Sequence, residues 1–424
     1  MKISSVSSCV IEANYDWTII KVITDEGITG YGEAFFAPGL SSTIREFRPI
    51  LEGEDPRDID RLCRKMRTSG MAAGAWGMVH HAVSGIEAAL LDILGKKFGI
   101  PLYQFLGGKY RSRVRIYADC HGGSGLESLS PVLIPRSPSW AKSEEELTAG
   151  RNTRESQAVD LRMKYHGVAG ECEIFEPQQY AQRAREMAER GFTALKFDVD
   201  VPNPYSLDEY NRALTSREIE YMASLARAAG EAVGDEVEVA IDCHWNFNVN
   251  DILRFAWECE DLDLLWLEDP IPPENVSALR QVTQSTRTPI ASGENHYGRQ
   301  QFRDLLEAEA LNIAAPDLQK VGGLLEGRRI ADLADMHYVN IAPHNISSPI
   351  GTMASVHFCA AIPNFLCLEW HAASVPFFDK LVKAGEGPLI QDGYITVPER
   401  PGLGIELDEE VAYEYRKRSE AFFE

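Results

Sequence analysis

Residues 236–270 read EVEVAIDCHWNFNVNDILRFAWECEDLDLLWLEDP. The stretch opens on an apolar run, EVEVAID, and turns polar from His244 to Asn248. Helix-spaced apolar residues follow in DILRFAWE, and a second apolar run, LLWLED, closes it. That order is strand, helix, strand, the repeating unit of a parallel sheet. Each apolar run ends on a carboxylate, Asp242 in the first and Glu268 in the second. Residues i and i+2 of a strand share a side, so Asp242 and His244 are expected to project together from one strand end.

The same unit recurs on either side. Apolar runs stand at 114–120 (VRIYADC), 193–199 (TALKFDV), 289–295 (PIASGEN), 311–317 (LNIAAPD), 338–344 (YVNIAPH) and 365–370 (FLCLEW). Helical stretches such as PQQYAQRAREMAERG and GLLEGRRIADLADMH lie between them. Eight strands alternating with helices make the chain α/β and predict a (β/α)8-type barrel over 113–380. Residues 1–112 follow another pattern. Two alternating segments meet at a turn, Asp25 to Gly27, and VSGIEAALLDILGKKFG reads as an amphipathic helix stopped by Gly99 with Pro101 behind it. They predict an N-terminal α+β capping domain. Residues 381–424, with strand-like ITV and IEL and a helical VAYEYRKRSEAFFE, are expected to return to that domain and complete it. The polar segment at 121–177 is too long for an ordinary barrel loop, and reads equally as a surface insertion or a substrate lid over the barrel mouth.

Composition narrows the function classes. Lys and Arg number 42 against 64 Asp and Glu, a net charge of −22, which argues against nucleic acid or an anionic membrane as a partner. No run of about 18 apolar residues predicts a membrane span, and no apolar stretch near the start predicts a signal peptide. The eight cysteines form no CxxC pair and read as reduced, mostly buried thiols. A cytoplasmic enzyme acting on a small molecule is the expectation.

The strand ends carry the chemistry. From Asp242 onward, polar residues recur at Glu268, Glu294, Asp317, His344 and Glu369, at intervals of 26, 26, 23, 27 and 25. A closed barrel brings such ends to one mouth. Asp242, Glu268 and Glu294 form a hard-oxygen set suited to Mg2+. Asp317 and His344, on adjacent strands, have the makings of an oriented general base or of a plain structural hydrogen bond. Lys196 either pairs with Asp198 or faces a developing oxyanion, and Glu369 accepts from that oxyanion or, protonated, donates to it.

These residues, with IPLYQFLGG (100–108), LEDP (267–270), GEN (293–295), DLQKVGGL (317–324) and PGLGIE (401–406), resemble the enolase superfamily in its mandelate racemase subgroup, over nearly the whole chain. The resemblance implies abstraction of the proton α to a carboxylate, with Mg2+ held by Asp242, Glu268 and Glu294, and with His344–Asp317 as a catalytic dyad. Glu369 would hydrogen-bond a substrate carboxylate oxygen. Lys196 matches the first Lys of the family's KxK motif, but Asp198 replaces the second, which argues against two-base racemisation. His244 resembles the proton-handling His of galactonate and mannonate dehydratases, with a strand-end cap as its other reading.

The resemblance thus implies an acid-sugar dehydratase, a hydro-lyase that converts an aldonate such as galactonate or gluconate to a 2-keto-3-deoxy acid. The open alternatives are an epimerase or cycloisomerase using the same intermediate, and a non-catalytic acid-sugar-binding paralogue. Candidate substrate contacts are Asp198, Trp17 (with the loop from Asn14), Trp76 (with His80 and His81), and Tyr165, Arg162, Arg151 and Arg154 of the insert. A homo-oligomer is expected.

Overall fold

The structure, a computed structural model, describes residues 1–122, 128–133, 136–142, 174–207, 213–385 and 387–424. The chain opens with an antiparallel meander: β1 (Ile3–Glu12), β2 (Asp16–Thr24) and β3 (Thr29–Ala34). Gly27 turns the second hairpin at φ 79°, its N–H donating to the Thr24 carbonyl at 3.0 Å. Helices α1 (Leu40–Leu51), α2 (Ile59–Gly70) and α3 (Met78–Phe98) follow. Helix α3 lies directly on β3, because Gly32 and Gly85 face one another: a Cβ on Gly32 would stand 2.0 Å from the Gly85 carbonyl oxygen. Gly99, at φ 70°, ends α3 in the left-handed conformation.

Eight parallel strands then form the barrel. They are β4 (Arg113–Cys120), β5 (Ala194–Asp198), β6 (Glu238–Asp242), β7 (Leu267–Glu268), β8 (Ile290–Ser292), β9 (Ile313–Ala314), β10 (Asn340–Ile341) and β11 (Leu368–Trp370). The sheet runs from β10 down to β4 and on to β11, and a parallel bridge from Ile341 to Phe365 closes the circle. Between the strands run α4 (Pro177–Glu189), α5 (Ser216–Val233), α6 (Val249–Glu258), α7 (Val276–Ser285), α8 (Gly298–Glu307), α9 (Leu324–Met336) and α10 (Pro349–Ala361). A short 3-10 helix at Asp379–Leu381, rather than an α-helix, follows β11, so among the described residues the barrel has seven βα units and a final strand. Its floor is a layer of Tyr117 and Trp266, ring centroids 5.2 Å apart, packed among Ala194, Ala240, Ala291 and Ala342. Two bulky rings surrounded by alanines fill the narrow interior.

The tail closes on both parts. β12 (Val382–Lys383) pairs with β14 (Glu406–Leu407), while β13 (Tyr394–Thr396) adds antiparallel to β4. Lys417 and Phe423 then donate backbone hydrogen bonds to Val10 and Ser8 of β1. The helix read over VAYEYRKRSEAFFE is only the short α11 (Glu409–Glu414); beyond it the chain lies along β1 rather than coiling.

Two buried acids pin the cap to the barrel. Glu87 of α3 accepts from the N–H groups of Leu324 and Leu325 at 2.9 and 2.8 Å, capping α9. Glu33 of β3 accepts from Ser348 N–H at 3.0 Å and Gly351 N–H at 2.9 Å, capping α10. A carboxylate satisfies the open N–H groups and the positive end of each helix. Among the described residues no helix is long and apolar enough to cross a membrane.

Candidate active site

The barrel strands are shorter than their apolar runs, so several site residues sit just past a strand end. Glu294 lies two residues after β8, while Asp317 and His344 lie three after β9 and β10. The strand-alternation argument for His244 does not hold. β6 ends at Asp242, and the chain then turns through His244 and Trp245 at φ 39° and 54°. The turn folds His244 back, its N–H donating to Asp242 Oδ1 at 2.9 Å.

A cavity of about 280 Å3 opens at the C-terminal ends of the strands. Lys196, Asp198, His244, Glu294 and His344 line it, joined by Asp119, Asn295, Lys320 and His371. Lys196 is buried at its base. Its Nζ lies 2.8 Å from Asp242 Oδ2, 2.9 Å from Glu268 Oε1, 3.0 Å from Glu369 Oε1 and 3.5 Å from Asp119 Oδ2. Burial disfavours its ammonium, but these four carboxylates overrule burial and hold the pKa well above that of an ordinary lysine. Lys196 is therefore a fixed cation, not a base. Asp198 is not its ion-pair partner; in register with Asp242, it faces His244 Nε2 at 4.0 Å.

His344 turns Nδ1 to Asp317 Oδ2 at 2.7 Å, and Asp317 Oδ1 is held by the Gln319 N–H at 2.8 Å. The other ring nitrogen, Nε2, stands 3.1 Å from Glu294 Oε2. Burial works against the imidazolium, but Glu369, Glu294 and Asp317 outweigh it and lift the His344 pKa to about 10. His244 has a carboxylate of its own: Nδ1 lies 2.9 Å from Oδ1 of the buried Asp200. Burial again opposes charge, and Asp242, Asp200 and Asp198 raise the pKa well above 6.5.

Glu369 and Asp119 both lie beside the Lys196 ammonium. Burial would raise Glu369, yet Lys196 and His344 hold it down as a carboxylate, accepting from the Asn345 N–H at 2.9 Å. Burial pushes Asp119 well up, against the pull of the Lys196 ammonium.

The three carboxylates read as metal ligands are all buried: Asp242 and Glu268 share Lys196, and Glu294 faces His344. Among the described residues, Asp198, Asp242 and His244 bring ligand atoms within 4.8 Å of one another. The chemistry of the mouth fits a hard divalent cation. Its donors are carboxylate oxygens on successive strands, and negative charge is in excess. Burial, with Asp242 and Glu369 adding, pushes Glu268 up to about 8; burial and Glu294 push Asp269 up to about 7.

The outer wall is apolar. Tyr15, Phe35, Phe36, Leu133 and Ile346 line it, with Tyr15 stacked on Phe36 at 5.0 Å and Phe36 on Phe35 at 4.5 Å. Trp17 is not part of it. Its ring is buried in the core against Phe377 and Phe378, and its indole N–H donates to the Ile346 carbonyl at 3.0 Å. Tyr15, in the turn before β2, reaches the cavity instead. Trp76 also stays outside, its ring against His80 and Tyr297 and 41% exposed. His81 braces the wall from behind, its Nδ1 3.0 Å from the Phe35 carbonyl. Tyr165, Arg162, Arg151 and Arg154 lie outside the described residues.

Sequence reading missed Asp119, Asp200, Lys320 and His371. Asp119 ends the first barrel strand, and His371 lies two residues after Glu369, so the strand-end rule reaches both. Lys320 lies inside the DLQKVGGL stretch; its Nζ donates to Asn295 Oδ1 at 2.7 Å and sits 4.4 Å over the Phe35 ring. Burial lowers the His371 pKa to about 4, leaving a neutral ring whose Nδ1 is 2.8 Å from Asn14 Nδ2.

Comparison with known proteins sets this geometry in context. Residues 6–107 match the family described as mandelate racemase / muconate lactonizing enzyme, N-terminal domain, and residues 179–411 match the enolase C-terminal domain-like family. The chain is 41% identical to a D-xylonate dehydratase of Haloferax volcanii, over 100% of this chain and 91% of that protein. It is 26% identical to a D-gluconate dehydratase of Thermoproteus tenax, over 94% of this chain and 69% of that one. A crystal structure of a mandelate racemase/muconate lactonizing enzyme-like protein from Rubrobacter xylanophilus superposes with a TM-score of 0.86 at 41% identity, covering 100% of this chain and 99% of that one.

Proposed function

Because the chain belongs to the mandelate racemase/muconate lactonizing enzyme family of the enolase superfamily, we propose that it dehydrates a short mono-acid sugar, a five-carbon aldonate of the D-xylonate type, to its 2-keto-3-deoxy acid with Mg2+ as cofactor. One observation carries the reading: two histidines, each backed by a buried aspartate, line the same cavity as a buried lysine.

In this mechanism the neutral form of His344, which Glu369, Glu294 and Asp317 disfavour until the charge of Glu294 is neutralised, takes the proton from C2 at Nε2, while Asp317 holds Nδ1 and so orients the ring. Negative charge builds on the substrate carboxylate, and the Lys196 ammonium is fixed beside it. Loss of one such preorganised donor commonly costs about 10²–10³ in rate. A divalent cation held by Asp242, Glu268 and Glu294 would supply further positive charge to the same oxygens. His244 gives a proton to the departing C3 hydroxyl, which leaves as water. The enol then tautomerises to the keto acid.

The wall bears on the charge of the substrate. Among the described residues of the wall, Tyr15, Phe35, Phe36, Leu133 and Ile346 offer no ion pair to a second carboxylate, and Lys320 is engaged by Asn295 and the Phe35 ring. Burying an unpaired charge there is costly, which favours a mono-acid over an aldarate. The D-xylonate dehydratase likeness favours five carbons over the six of galactonate or gluconate. The test is turnover with Mg2+ on D-xylonate, D-gluconate, D-galactonate and an aldarate, reading 2-keto-3-deoxy product. D-xylonate is expected to lead. A lead for the aldarate overturns the substrate reading. Deuterium exchange at C2 without keto product on any of them turns the reading to an epimerase or cycloisomerase.

A further inference from the structure

Asp200 lies just beyond β5, and His244 belongs to the turn after β6, so their contact ties two neighbouring βα loops together. Both Asp200 oxygens are used. Oδ1 faces His244 Nδ1 at 2.9 Å, and Oδ2 accepts from Asn246 Nδ2 at 2.7 Å. The side chain of Asp200 has no solvent exposure.

The backbone it grips is an unusual one. His244 and Trp245 both adopt positive φ, which side chains other than glycine seldom do without external support. The turn is held from two further directions, by Trp245 N–H to the Asp269 carbonyl at 2.6 Å and Asn246 N–H to the Cys243 carbonyl at 3.0 Å. Its result is specific. With Nδ1 turned to Asp200, His244 presents Nε2 to the cavity, 4.0 Å from Asp198 Oδ1 and 3.8 Å from Asp242 Oδ2. Asp317 does the same for His344 from another pair of strands: one aspartate oxygen on Nδ1, the other on a group of the loop.

We infer that Asp200 is a positioning residue for the second half of the reaction, fixing His244 so that Nε2–H points at the leaving hydroxyl, as Asp317 fixes His344 for the first half. The inference rests on the dehydratase reading. The cavity then holds two His–Asp pairs of separate duty, one for C2–H and one for the C3 hydroxyl, and damage to the Asp200 pair uncouples them. The C2 proton still comes off and returns, but the hydroxyl no longer leaves.

The experiment follows two signals on D-xylonate in D2O with Mg2+: keto-acid formation, and deuterium at C2 of recovered substrate. In Asp200→Asn, keto-acid formation falls about 10–100-fold while C2 exchange persists, so the exchange-to-elimination ratio rises. His244→Asn does the same more severely. Equal loss of both signals in Asp200→Asn, or wild-type elimination, overturns the inference if His244→Asn behaves as stated. If His244→Asn itself retains elimination, the acid role of His244 fails instead. Should Asp200→Asn melt below the assay temperature, Asn246→Ala, which removes only the other partner of Asp200, decides by the same ratio. A raised ratio supports the inference, and a wild-type ratio overturns it.

Discussion

The mouth of the barrel and the seam between cap and barrel are both built on buried carboxylates. At the seam, Glu33 and Glu87 sit in contact with helix N-termini, and burial pushes each up to about 7. At the mouth, Glu268 is pushed up to about 8 by the same cause. Their partners differ. Each seam acid is bonded by backbone N–H groups that cannot move without unwinding α9 or α10. The mouth acids face a lysine, two histidines and a cavity. Burial and a perturbed pKa mark both sites. What separates chemistry from architecture is whether the partner is a fixed amide or a mobile proton carrier with room for substrate beside it.

The comparison breaks most visibly at His344. Replacement by Asn keeps a polar amide beside Asp317 and only enlarges an existing cavity, so the fold should persist. Turnover should fall by about 10²–10⁴, the usual contribution of a positioned general base, and C2 deuterium exchange should vanish with it. Steady-state kinetics and mass spectrometry check the two losses. An undiminished rate would return His344 to a structural hydrogen bond.

Lys196 sharpens the contrast, because at the mouth one residue serves both ends. Lys196→Met leaves Asp242, Glu268 and Glu369 buried without their shared cation. Removing one partner of a buried pair costs about 3–5 kcal/mol, and the lost electrostatic donor costs about 10²–10³ in rate. Stability and turnover should fall together here, as denaturant titration and kinetics will show, whereas His344→Asn should cost turnover alone.

The sequence carried one of these regions far better than the other. Polar residues at a nearly constant interval after apolar runs are visible in one dimension, and a closed barrel is a geometry that makes the interval meaningful. Hence Lys196, Glu268, Glu294, Asp317, His344 and Glu369 were legible as a group. The turn at His244 was not, because a positive φ at a histidine leaves no mark in the pattern, and with it the Asp200 contact was lost. Trp17 of NYDW was placed at the cavity for a related reason. Alternation says that Tyr15 and Trp17 differ in environment from Asp16, but not that the strand begins between them, sending Tyr15 to the cavity and Trp17 to the core. The seam acids were invisible, since Glu33 and Glu87 find their partners over 200 residues away in the chain.

The seam makes its own prediction. The folded-state pKa of Glu87, about 7, lies above the ordinary glutamate value, so the folded chain binds this proton more tightly than the unfolded one. The group's contribution to stability is then fullest below about pH 4.5 and is lost as pH rises to about 7, a change on the order of 3 kcal/mol. Glu87→Gln removes that slope. It also leaves one N–H of Leu324 or Leu325 without an acceptor, at a cost of about 1–3 kcal/mol. Denaturation at pH 5, 6 and 8 should show the variant flatter in its pH dependence, less stable than wild type at pH 5 and level with or ahead of it at pH 8. Parallel slopes would mean that Glu87 stays ionised throughout.

The smallest effect is spread over the surface. The excess of acids is 64 − 42 = 22, and a chain so charged repels itself when compact. Salt acts on two opposed quantities. It weakens exposed ion pairs such as Arg57–Asp55 and Arg227–Asp261, each worth only about 0–1 kcal/mol. It also screens the net repulsion, the Debye length shrinking from about 10 Å at 0.1 M to about 3 Å at 1 M. The pairs are local and each acid in one has its neutralising partner, whereas the unmatched acids repel across the whole surface. Repulsion should therefore be the larger of the two, and the melting temperature should rise from 0.1 to 1 M KCl. Glu87→Gln should rise in parallel, because its buried site lies beyond the reach of screening. A melting temperature that falls with salt would show that the ion pairs, not the surplus charge, govern the surface.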